Sequence, residues 1–178
     1  MIDPIRELKV RAEILHHAVA TGDAPSTLRL RALPELRRAD AGALGAFAAR
    51  IQRKHCLAAV AREAGFETWE HALRVLRGES GETDHGELLY PKGASAFLNH
   101  WFATYDEAHA VHVERGGYLL AYKRHYFLVE RDYVATTLAL DPDDADWAAI
   151  GFDWPRPRDP SARRHLYGKL LAARREAA

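Results

Sequence analysis

The sequence predicts an α+β protein, mainly α, in which an N-terminal bundle of short helices packs on a C-terminal helix-plus-β-hairpin unit. Three observations predict it. Apolar residues recur at three-four spacing through the first 78 residues, punctuated by Gly and Pro. One strong strand signal follows much later, where Tyr118-Leu119-Leu120-Ala121-Tyr122 and Tyr126-Phe127-Leu128-Val129 are separated by Lys123-Arg124-His125. Between them, ESGETDHGE at 79–87 contains no apolar residue. The expected organisation is therefore a helical module at 1–78, a solvated linker at 79–87 and a helix/β-hairpin unit at 88–178.

In the first module, Asp3-Pro4 reads as an N-cap and first helical residue. Ile5, Leu8, Ala12, Leu15 and Val19 then share one helical face, and Gly22 stops the helix. Asp23 and Pro25 restart a second helix that turns Leu28 and Leu33 inward, and Pro34 ends it. Asp40 caps a third helix with Leu44, Phe47 and Ile51 on its buried stripe. A fourth carries Cys56, Leu57, Val60 and Ala61 to Gly65. Thr68 caps a fifth that holds Trp69, Ala72, Leu73 and Leu76 and closes at Gly78. Segments this short depend on tertiary packing, not on intrinsic helicity.

In the second unit, residues 94–104 read as a helix burying Phe97, Leu98 and Trp101. Another helix starts at Thr104 or Asp106 and ends at Gly116-Gly117. After the hairpin, 131–140 return to helix. Asp141 or Asp143 caps a short helix through Ile150, and the three prolines of DWPRPRDP (153–160) hold that stretch extended. Ser161 caps a final helix with His165, Leu166, Leu170 and Leu171 available for packing.

Composition bounds the function. The chain has 178 residues, 48% of them hydrophobic and 28% charged, with 25 Lys/Arg balanced by 25 Asp/Glu. That is too apolar for an intrinsically disordered chain, and no apolar run approaches the roughly 20 residues of a membrane span. The charged N-terminus does not read as a secretory signal. The single Cys56 excludes an internal disulfide framework and fits a cytoplasmic setting. Residues 1–78 hold 13 basic against 9 acidic residues, and 79–178 hold 12 against 16, an asymmetry that suits docking of the halves.

The run LAAVAREAGFETWEHALRVL at 57–76 resembles the "ARE-x-GF-x-x-W" helical module found ahead of ankyrin repeats in bacterial proteins. The likeness extends loosely to residues 5–23. It implies a packing role for Gly65, Phe66 and Trp69 and brings no activity with it. No 33-residue repeat follows. The same run is also similar to the helix-turn-helix of AraC-type regulators. That resemblance implies a recognition helix at 68–77 presenting Glu67, Glu70, His71, Arg74 and Arg77. Acids at its start would repel phosphate, and the second copy of the motif is missing, so nucleic acid is the weaker expectation.

Two constellations stand out as sites. His109 and His112 are three apart on a helix, with Asp106 three before His109, and could share a cation, with His100 and also His125 completing the set. The sequence lacks the H-E-x-x-H pattern. The second site surrounds Gly116-Gly117, where a backbone without side chains lets a ligand approach. There Tyr118, Tyr122, Lys123, His125 and Glu130, with Glu107, would bind a small anion or transfer a proton. Cys56, on an apolar helix face, reads as inert core. LDPDDADW at 140–147 reads as capping, because an EF-hand's turn glycine and terminal glutamate are absent.

The leading expectation is a non-catalytic ligand- or protein-binding module that uses the hairpin region, with a protein partner, a second copy of the chain or a small anionic ligand. The alternatives are a His-dependent metal-binding enzyme and a DNA-binding protein using 57–77. No cofactor is expected on the first reading; zinc or another divalent metal is expected on the second.

Overall fold

A computed structural model describes residues 3–79, 82–91, 94 and 98–176. The protein is α+β and mainly helical, with a three-stranded antiparallel sheet. Two compact units divide between Leu73 and Arg74, inside a helix: one is Ile5–Leu73, and the other runs from Arg74 onward and takes in Pro4.

The first unit holds α1 (Pro4–Ala20), α2 (Ala24–Arg29), α3 (Ala41–Ala48), α4 (Arg53–Glu63) and the start of α5 (Trp69–Arg77). Side-chain caps set several boundaries. Asp23 accepts from the Ser26 N–H at 2.8 Å, Asp40 from Ala43 at 2.8 Å, and the Thr68 hydroxyl from His71 at 3.0 Å. Leu8, Ala12, Leu15 and Val19 are buried, as the spacing predicts. Leu28 is not: it is 52% exposed, because six-residue α2 buries nothing and the following 3-10 turn places Leu30 inside instead. Phe66, just after the Gly65 turn, is buried with its ring edge-on to His71. His71 is itself buried, so it does not face outward as a recognition-helix residue would.

In the second unit the sheet order is β1 (His100–Phe102), β3 (His125–Val129), β2 (Tyr118–Tyr122). Residues 100–102 form a strand where the sequence suggested helix. The run LNHWF has no helical period to hold it, and the open edge of β3 supplies hydrogen bonds, pairing Trp101 with Phe127. Leu98 is 98% exposed and Trp101 43% exposed, so the expected burial of both is corrected. Phe97 lies outside the described residues. β2 and β3 pair from Tyr118↔Val129 to Tyr122↔His125 around a two-residue turn, Lys123-Arg124, with Lys123 at φ +51°.

The sheet's two faces do different work. Phe102, Leu119, Leu128 and Tyr126 meet Ala108, Tyr105 and Val111 of α6 (Tyr105–Arg115). On the opposite face Tyr90, Trp101, Tyr122, Phe127 and Tyr133 form an aromatic cluster with ring centroids 4.7–6.0 Å apart. The 131–140 stretch takes a π turn at Tyr133–Thr137, and the buried Tyr133 hydroxyl donates to the Leu89 carbonyl at 2.8 Å.

Further along, α7 (Ala145–Ala149) is capped by Asp144, not by Asp141 or Asp143. Asp141 instead caps the preceding turn, and Asp143 pairs with Arg131. For α8 (Pro160–Glu176) the cap is Asp159, whose carboxylate accepts from the Ser161 N–H and hydroxyl, so the expected Ser161 cap shifts by two residues. Trp147, Trp154 and Tyr167 are buried in ring contact, Trp147 tilted against Trp154 and Trp154 edge-to-face with Tyr167. The expected solvated linker is in part ordered structure. His85 N–H donates to the Lys123 carbonyl, Lys123 N–H to the Gly86 carbonyl, and Lys123 Nζ pairs with Glu87 at 2.7 Å, so 85–87 brace the hairpin turn.

Candidate functional site

Tyr105, His109 and His112 stand at i, i+4 and i+7 of α6 and so form one stripe. Tyr105 and His109 stack at 5.4 Å, and the imidazoles of His109 and His112 are 6.3 Å apart. The sequence expected Asp106 beside these histidines. Asp106 instead points outward at the rim, with a 3.9 Å contact to Arg156 between two well-exposed side chains.

The opposite wall comes from Gly151–Arg158. Leu119 N–H donates to the Phe152 carbonyl and Trp154 N–H to the Leu119 carbonyl, a parallel bridge that sets Asp153 level with Leu119. Paired residues project to the same sheet face. Asp153 therefore shares the α6 side with Leu119, and only 6% of it is exposed. One carboxylate oxygen accepts from the Tyr105 hydroxyl; the other accepts from Arg156 N–H at 2.9 Å. The Arg156 guanidinium lies 3.7 Å from the centroid of the Tyr105 ring, so Arg156 and His109 both lie against that ring. Arg158 crosses Gly151 so closely that a Cβ there would come within 2.8 Å of its guanidinium nitrogen Nε. At φ +71° that position also favours glycine.

These side chains enclose a cleft of about 380 Å³. Its electrostatics follow from burial. Desolvation pushes the Tyr105 hydroxyl well above its ordinary range, and hydrogen bonding to Asp153 pushes it further, so Tyr105 is a neutral donor. Burial likewise holds the His112 imidazole below its usual value, partly offset by Asp153 and the Gly117 carbonyl. His112 Nε2 is 3.2 Å from that carbonyl, a contact that requires the proton on Nε2 and leaves Nδ1 as the basic nitrogen. With both oxygens of Asp153 engaged, the groups left to face a ligand are the two guanidiniums and the imidazoles.

The ligand set expected from sequence does not converge. Tyr118 is buried, donates to the Pro142 carbonyl at 2.9 Å and packs on Trp147 and Phe152. Tyr122 lies about 13 Å away at the far end of the strand, in the aromatic cluster with Tyr90 and Trp101. Lys123 pairs with Glu87, His125 is exposed opposite Tyr122, and Glu130 is exposed beyond the other end of the hairpin, near Gly117. Nor does the double glycine open the backbone to a ligand. A Cβ on Gly117, at φ +86°, would sit 3.0 Å from the Val129 carbonyl, so the glycine admits β3.

Of the expected metal set, His109 and His112 come together, while His100 sits on β1 opposite Leu128. Among the described residues no three His, Cys, Asp or Glu side chains form a group that could hold a metal ion. Tyr105, Asp153, Arg156 and Arg158 were missed. Tyr105 falls four residues before His109, a signal that was there to read; Asp153 and the arginines are some forty residues away in a stretch legible only as extended. Arg74 and Arg77, expected on a DNA-reading face, contact Glu82 at 2.7 Å and Glu79 at 3.5 Å.

No family model matches the chain, and neither a curated protein nor a solved structure matches it. Among the described residues no helix is long and apolar enough to cross a membrane.

Proposed function

We propose that this protein is a ligand-binding module whose ligand is a small oxyanion held in the α6 cleft. One observation carries the reading: Arg156, Arg158, His109 and His112 line a single cleft whose one lining carboxylate, Asp153, is already satisfied by Tyr105 and the Arg156 N–H. Charge-assisted hydrogen bonds from guanidinium to a phosphate or carboxylate are stronger than neutral ones. In this reading the N-terminal helices, including the segment that resembles the module ahead of ankyrin repeats, serve as scaffold.

Isothermal titration of the full chain with inorganic phosphate at low salt tests this. The expected result is one-site binding that weakens about tenfold in Arg158→Gln. Absence of binding by both phosphate and acetate at ~10 mM, or affinity untouched by Arg158→Gln, overturns the reading.

A second reading, a His-dependent enzyme, is favoured by the His112 contact with Gly117, since a neutral imidazole of fixed tautomer suits a general base. Turnover of an aryl phosphate that disappears in His112→Asn while phosphate binding persists would support it. No turnover, with binding intact, leaves the binding module.

A further inference from the structure

Arg156 lines a second cavity as well. That cavity is also about 380 Å³; Tyr126, Pro155, Pro157 and Pro160 form part of its wall, and charged side chains, Glu79 and Glu82 among them, also line it. The two spaces adjoin. Tyr126 lies 5.8 Å from Tyr105 of the cleft, ring to ring, and lines the second cavity itself. Arg156, over the Tyr105 ring, thus lines both spaces, a cationic cleft on one side and a compartment of mixed polar and apolar lining on the other.

The chemistry of the second compartment differs from that of the cleft. Proline rings and the planar tyrosine ring have few rotatable bonds, and they give up little conformational entropy when covered. Of the nearby cations, Arg74 is paired with Glu82, and Arg163 donates to the carbonyls of Trp154 and Pro155 at 3.0 and 3.2 Å. These groups brace the wall. A cavity of roughly 150 Å³ suffices for benzene, so the compartment has room for a ring and substituents.

We infer that the ligand is a ring-bearing oxyanion, its phosphate or carboxylate on Arg158 and the α6 histidines and its ring past Arg156 against Tyr126 and the prolines. This deepens the oxyanion reading and rests on it. The experiment compares matched probes on the full chain: phenyl phosphate against inorganic phosphate, and benzoate against acetate. The ring-bearing member of at least one pair is expected to bind about tenfold more tightly, consistent with partial burial of one ring; the pair that shows the gain identifies the anionic group.

Thr83 is exposed on the rim of the second compartment, so Thr83→Phe blocks it without touching the core. In that variant the ring-bearing probe should fall to the affinity of its small counterpart, whose own binding stays unchanged. Tyr126→Ser should act in the same direction. No ring advantage in either pair, or an advantage that survives both substitutions, overturns the inference while leaving the oxyanion reading standing. If neither phosphate nor acetate binds, the oxyanion reading itself fails.

Discussion

Replacing Tyr105 by Phe removes one oxygen from the site and little else. The ring keeps its stack with His109 and its contact with the Arg156 guanidinium, so the substitution isolates the hydrogen bond to Asp153. Asp153 is 6% exposed, and its second oxygen would lose its protein donor. A hydrogen bond to a charged acceptor contributes about 1.5–3 kcal/mol, and leaving the buried acceptor unmet places the loss at the upper end. With a urea dependence near 2 kcal/mol/M, the unfolding midpoint should fall by roughly 1 M. Tyr118→Phe is the matched control, because that hydroxyl donates to a neutral carbonyl, of Pro142, for which about 0.5–1.5 kcal/mol is expected. Trp147 and Trp154 are fully buried in the same unit, so tryptophan fluorescence reads both transitions. If Tyr105→Phe shifts the midpoint no more than Tyr118→Phe, the Tyr105–Asp153 bond does not hold the cleft walls together as argued.

Other consequences can be checked independently. Gly151→Ala should expel Arg158 from its crossing and lower phosphate affinity, read by titration, since the new Cβ meets the guanidinium at 2.8 Å. His112 is held neutral by burial, so its folded value lies below its unfolded one. Protonation then favours the unfolded chain, and stability should fall as pH drops below about 6.5. His112→Gln should flatten that part of the pH–stability curve. Bound oxyanion supplies the missing counter-charge, so phosphate should bind with proton uptake, measurable from the buffer dependence of the binding heat. Cys56 is buried with its thiol pushed up to about 11, so a disulfide reagent at pH 8 should leave the native protein unlabelled and react fully in denaturant.

Local chemistry made much of the architecture legible. Asp23, Asp40 and Thr68 cap where they were expected because an N-cap needs only a short side chain and the next turn of backbone. The hairpin was readable for the same reason, since alternation and a polar turn are properties of a dozen consecutive residues. The failures came where a short apolar run had no periodicity of its own. His100–Phe102 became an edge strand because β3 had unpaired groups to offer, and Leu28 turned outward because α2 ended one residue before the buried position.

Within the site, the sequence alone determined the α6 half. The spacing of His109 and His112 puts them on one face of any helix. Their neighbours were decided by tertiary structure. Asp153 reaches Tyr105 because the 151–154 backbone bonds to Leu119, and Arg158 enters the cleft because Gly151 has no side chain to stop it. The Tyr105–Asp153 contact joins residues 48 apart, and no periodicity spans such a distance. Helix faces follow from the 3.6-residue repeat, whereas the partner across a cleft follows from how separate segments pack, which is where the charge balance of this site is set.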